Sequence, residues 1–183
     1  MKLAEKLGIK CYDKELLELA AKESGLCEEL FASQDEKPTN SFLYSLVMDT
    51  YSLGYTNSYV DMPINHKVFL AQFDAIKKLA ERESCVIVGR CSNYILEQAD
   101  IDSFDVFIKA DIEKRAENVA DRVELKGDEL IKFLQRRDHK RRVYYRFYTR
   151  RKWGDYHDYN MMLDSGMIGK DKCVDMIISA IGE

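Results

Sequence analysis

Glycine and proline are scarce in this chain, nine and two in 183 residues, and the glycines do not cluster. No HExxH or GxSxG occurs, which removes the usual signatures of zinc proteases and of serine hydrolases built on a nucleophile elbow. The five cysteines (Cys11, Cys27, Cys85, Cys91, Cys173) form no CxxC and no ligand-like spacing with His66, His139 and His157. An odd, scattered set of thiols argues against a disulfide framework and against structural zinc. Packing as small apolar groups is the expectation for them. No run is long enough to span a bilayer, and MKLAEKLG has no apolar stretch of the signal-peptide kind. Cytoplasmic location is therefore expected. Repeats and low-complexity segments are absent as well.

What is present suits one soluble α/β domain over residues 1–183, with 46% apolar and 33% charged residues. Net charge is −4, but its distribution is uneven. Arg136 to Lys152 holds nine Lys or Arg and one Asp, a local +8 that leaves −12 on the remainder. That asymmetry points to a focused anion site and away from a globally basic nucleic-acid binder.

Ala4–Leu7 reads as a helix end stopped by Gly8, and Ile9–Tyr12 as a short extended piece. Asp13 can cap a helix over Lys14–Glu23, with Leu16, Leu17 and Ala20 on one face. Gln34–Asn40 reads as a turn, Ser41–Leu53 as a helix and Gly54–Asn65 as a loop. Asn65 can cap a helix through Ala80. Cys85–Gly89 and Phe104–Ala110 are continuous apolar runs, the pattern of strands buried on both faces. A helix over Ile112–Leu125 follows, then a long one capped by Asp128, a strand at Tyr159–Ser165 and a helix at Lys170–Ile181. Strands alternating with helices indicate a parallel sheet covered on both sides, with ligands at the carboxyl ends of the strands.

That rule draws attention to VGRCS, where Arg90 leaves a strand end. Its guanidinium can grip phosphate or carboxylate with two prongs, or pair with a nearby acid for structure. Asp13 and Asp164 also stand beside strand ends. In RRDHKRRVYYRFYTRRKWGD, Arg137 and Arg141 share one helix face, and Arg142, Arg146 and Arg150 another. Three readings of the segment stand side by side. The arginines can serve a polyphosphate site, form a solvated basic face over packed aromatics, or contact single-stranded RNA or DNA.

The stretches KLAEKLGIKCYDKELLELAAKESGL, INHKVFLAQFDAIKKLAERESCVIVGRCSNYIL, FDVFIKADIEKRAENVADR and RRDHKRRVYYRFYTRRKWGDYHDYNMMLDS, in this order, resemble the cytidylate kinase-like family. Its members are relatives of nucleoside monophosphate kinases within the P-loop fold. The resemblance implies a three-layer parallel sheet with a helical lid, here 127–157, and transfer of phosphate from ATP, with Mg2+, to a nucleoside monophosphate. It places Arg137, Asp138, Arg141 and Arg142 on the lid pattern, with Arg146 on the same stripe. Arg90 falls on the Gly-Arg that holds the acceptor phosphate, and Asp13 on an acid facing that site. Glu113, Arg115 and Ala116 match a structural helix. Cytidylate kinases follow the Gly-Arg with an Asp that contacts the base; Cys91 stands there, which departs from cytosine specificity.

A larger departure is the phosphate loop. Members begin with an apolar strand and a glycine-rich loop, whereas this chain starts at the helix that follows them. GxxxxGK followed by Ser or Thr occurs nowhere in it. That loop supplies the amides, cation and hydroxyl that hold ATP and magnesium, so little ATP-driven transfer is expected from these residues alone. The first strand lies at the centre of the sheet. Without it, each backbone group left buried and unpaired costs roughly 1–3 kcal/mol against a net stability of ~5–15 kcal/mol. Another segment, or a second copy in a homodimer, is expected to fill the gap. A truncated reading of an intact kinase is the expectation for the chain's start. A binding remnant without transfer activity and an RNA-binding accessory protein are the alternatives.

Overall fold

The structure is a computed structural model that describes residues 1–13, 15, 16, 18, 19, 22 and 64–182, with side chains from 68 onward in the second segment. Cys27, Leu17, Ala20, the turn at 34–40, the helix at 41–53 and the loop up to 63 fall outside the described residues.

Helix α1 (Lys2–Leu7) ends where Gly8 takes a left-handed φ of 66° and its N–H bonds back to the last turn. Strand β1 (Lys10–Tyr12) follows. The long helix α2 (Ile64–Arg82) already includes Asn65, expected as its cap. It carries the main core, with Val68, Phe69, Ile76 and Leu79 buried. Strand β2 (Cys85–Ile87) pairs in parallel with β1, Lys10 opposite Cys85 and Tyr12 opposite Ile87. Helix α3 (Ser92–Gln98) inserts Ile95 and Leu96 into the same core.

Strand β3 (Val106–Lys109) pairs in parallel with β4 (Met161–Asp164), Val106 opposite Met161 and Lys109 opposite Asp164. Between them lie α4 (Ile112–Val119) and the basic helix α5 (Gly127–Thr149). The expected helix to Leu125 stops early, passing through one 3-10 turn before Val123 returns to extended backbone. Asp128 sits inside the first turn of α5 and not at its cap. Its carboxylate still suits the positive end of the helix dipole. Helix α6 (Lys170–Ile181) closes the chain and packs Cys173 and Ile177 on Leu163 of β4.

The architecture is mixed α/β with two short parallel sheets, each over its own apolar cluster. Helix α1 touches both halves. It packs against β1 and β2, and its lysines reach α6 through Lys2–Asp171 at 2.5 Å and Lys6–Asp175 at 2.6 Å. The inner strands are less enclosed than their apolar sequences suggest. Cys85, Val86 and Ile87 are half-buried, Val88 is 43% exposed and Ile108 48%. Physically, an apolar run of this kind needs cover on both faces, and here β2 and β3 line an open cavity instead. Among the described residues no helix is long and apolar enough to cross a membrane.

Candidate functional site

The cavity between β2 and β3 measures about 1610 Å³. At its rim the chain leaves β2 through three consecutive left-handed residues, Gly89 (φ 74°), Arg90 (φ 55°) and Cys91 (φ 57°). Glycine adopts this conformation freely, but an Arg or Cys there costs on the order of 1–3 kcal/mol. The turn is held by the Ser92 amide donating to Gly89 O at 3.0 Å, and by the first bonds of α3. Its consequence is the aim of Arg90, whose mostly buried guanidinium lines the cavity and donates to Asp13 Oδ1 at 3.0 Å. Asp13 follows β1 and Arg90 follows β2 by a few residues. The pair therefore forms at the carboxyl ends of adjacent parallel strands.

Helix α5 supplies the opposite wall. Arg137 and Arg141, one turn apart, line the same cavity as Arg90 and Asp13. Arg137 lies over the Phe133 ring at 5.7 Å, within cation–π range. Arg141 donates to Asp138 Oδ1 at 3.4 Å. Asp138 does not line the cavity. Its carboxylate is clamped from α4 by Arg115, through two bonds of 2.5 and 2.8 Å. Arg142 and Arg146 are exposed on the outer face of α5, away from the cavity. The structure thus brings Asp13, Arg90, Arg137 and Arg141 together, and leaves Asp138, Arg142 and Arg146 outside that group.

The tyrosines fix the helix in place. Tyr148 is fully buried and stacks on Phe69 of α2, ring centroids 3.9 Å apart and nearly parallel. The Tyr144 hydroxyl donates to Gln72 Oε1 at 3.2 Å. Tyr145 accepts from Asn93 Nδ2 at 2.9 Å, and burial pushes its phenol far above the ordinary value, so it stays neutral. Both Tyr144 and Tyr145 also line the cavity floor. Just beyond α5, Arg151 pairs with Glu97 at 2.6 Å and Asp158 at 3.2 Å, and lies over the Tyr94 ring. The basic helix is therefore packed on α2 and α3 through Tyr148, Tyr144 and Tyr145.

Asp164 has a structural task. Its Oδ1 accepts from the amides of Gly166 and Met167 at 3.0 and 3.2 Å, capping the turn Ser165–Ile168, and its Oδ2 lies 3.3 Å from Lys109 Nζ. Sequence reasoning gave Arg115 no part in the site and gave Asn93 and Arg151 no role. Asp138, Tyr145 and Glu97, their respective partners, lie 23 to 54 residues away, so no local spacing could announce these pairs. Among the described residues no group of three His, Cys, Asp or Glu side chains converges as a metal site would require.

The cytidylate kinase-like family matches residues 1–167 of the chain. No curated protein matches it. Among solved structures, an uncharacterized protein from Eubacterium ventriosum ATCC 27560 is similar, with 28% identity and a TM-score of 0.69 over 98% of this chain and 87% of that one. The family carries with it a nucleotide-kinase-like role. On a match that runs through nearly all of the sequence, the chain belongs to the cytidylate kinase-like family.

Proposed function

We propose that the cavity holds the phosphate of a nucleoside monophosphate, as the acceptor side of a kinase that takes phosphate from ATP. One observation carries this reading: Arg90, Arg137 and Arg141 line a single cavity, reaching it from two different structural elements. Guanidinium groups so arranged stabilise charge on phosphate oxygens by position alone, and no covalent enzyme intermediate is needed. Arg90 would grip the acceptor phosphate, and the two lid arginines would neutralise charge on the group in transit. Asp13 orients Arg90 in the meantime. Residues 127–157 act as the lid within a single domain, and transfer of phosphate from bound ATP would make the protein a transferase of the kinase class.

The two sheets are, in this reading, parts of one parallel sheet with a vacant place between β2 and β3. Among the described residues each inner strand pairs on one side only and lines the cavity on the other. One more parallel strand seated there would join the sheets into the central layer of a three-layer kinase fold. A phosphate-binding loop after that strand would open beside Gly89 and Arg90, at the carboxyl ends of the strands. A second reading, a binding protein that holds a monophosphate without transferring phosphate to it, rests on the same cluster of arginines.

Calorimetric titration with CMP, with ATP–Mg and with an oligonucleotide separates the outcomes. Saturable CMP binding supports the cavity reading, and turnover with ATP–Mg extends it to the enzyme. Salt-sensitive oligonucleotide binding with neither nucleotide bound overturns both.

A further inference from the structure

We propose that Asp138 is a positioning residue, which aims Arg141 into the cavity because Arg115 clamps it from the neighbouring helix. The inference rests on the reading that the cavity holds an anion, and adds to it a device that keeps one lid cation in place.

The geometry is a shared carboxylate. Arg115 Nη1 donates to Asp138 Oδ2 at 2.5 Å, and Nη2 to Oδ1 at 2.8 Å. Arg141 Nη1 reaches the same Oδ1 at 3.4 Å. A two-pronged guanidinium–carboxylate pair fixes the acid in plane and in distance. Side-chain exposure falls along the series, 39% for Arg141, 29% for Arg115 and 16% for Asp138, so the acid is the innermost member. It is also the one of the three that cannot face phosphate, since like charges there would repel.

Two consequences follow from chemistry. The Arg115 pair is short and doubled, so α5 keeps its contact with α4 whatever Arg141 does. The bond from Arg141 to Asp138 is long and not doubled, so that bond can be exchanged for a phosphate oxygen at small cost. Held this way, Arg141 has fewer side-chain orientations to lose when an anion arrives. Arg137, exposed over Phe133, has no such carboxylate partner among the described residues and serves as the internal contrast.

Phenylglyoxal labelling, followed by peptide mass spectrometry, reads the arginines one by one whether or not a nucleotide binds. Asp138→Asn should speed labelling of Arg141 severalfold and leave Arg142 and Arg146 unchanged. CMP affinity should fall roughly three- to tenfold, the range set by ordering one long side chain. Asp138→Glu should restore both in part. The swap Arg115→Asp with Asp138→Arg keeps an ion pair between α4 and α5. It should recover the melting temperature lost in Asp138→Asn, yet neither Arg141 protection nor CMP affinity. If the swap recovers all three, the pair is a tether only and the proposal fails. Unchanged Arg141 labelling in Asp138→Asn also overturns it. If wild-type protein binds no CMP, the cavity reading fails, while the labelling pattern still decides the role of Asp138.

Discussion

Arg90 and Asp13 are 77 residues apart in sequence and meet at 3.0 Å where two parallel strands end. The left-handed turn at Gly89–Cys91 aims one, and the pairing of β1 with β2 delivers the other. In Arg90→Lys the charge remains but the planar fork is lost. CMP affinity should drop roughly tenfold or more, as expected for a charge-assisted bond of about 1.5–3 kcal/mol. Titration calorimetry measures it, and equal affinity in wild type and variant would place the acceptor phosphate elsewhere.

Gln72 is a buried amide whose Nε2 has no hydrogen-bond partner among the described residues, although its Oε1 accepts from Tyr144. Tyr144→Phe alone removes that bond and should cost about 1–3 kcal/mol in urea unfolding. Gln72→Leu combined with Tyr144→Phe removes donor and acceptor together. The double variant should be as stable as wild type or more so. A double variant weaker than Tyr144→Phe would show that the amide finds a partner in solution.

Glu83 ties β1 to the end of α2. Lys10, Tyr12 and Arg82 all donate to it, and these bonds, Lys10 first, pull its pKa from 4.5 down to about 2. The unfolded chain therefore binds a proton at higher pH than the folded one. The stabilising contribution is complete above about 4.5 and is lost as pH falls toward 2. A melting-temperature series from pH 6 to pH 2 should fall over that window, as marked off by the two pKa values. Glu83→Gln should flatten this part of the curve. An identical acid profile in the variant would show that other carboxylates govern it.

Much of the fold could be read directly from the sequence. Gly8 stops α1, and the apolar runs at 85–89 and 104–110 contain β2 and β3. Helix α6 occupies the expected residues Lys170–Ile181. The strand burial was not legible, because an apolar run records what a strand needs, and β2 and β3 show what they have. Charge clustering located α5, and spacing separated Arg137 and Arg141 from Arg142 and Arg146. Which of those faces turns toward the cavity was decided by Tyr144, Tyr145 and Tyr148, which fix the rotation of the helix by burying its underside. Arg115 was placed on a structural helix, but its pairing with Asp138 was not legible because that partner lies on another helix, 23 residues away.

That rotation has a consequence which can be measured. Arg137 and Arg141 line the cavity, whereas Arg142 and Arg146 point to the outer face of α5 and are exposed. Replacing Arg137 and Arg141 together by Ala removes two cations from the cavity wall. With each charged contact worth about 1.5–3 kcal/mol, CMP affinity should fall at least tenfold. Replacing Arg142 and Arg146 together removes the same charge from the same helix but not from the cavity. Only the screened long-range field changes, so affinity should move by less than about threefold, and less still at high salt. Neither pair packs in the core, so both variants should melt close to wild type. If the outer pair proves as costly as the inner one, binding requires α5 to turn or close further than its tyrosine anchors on α2 permit here.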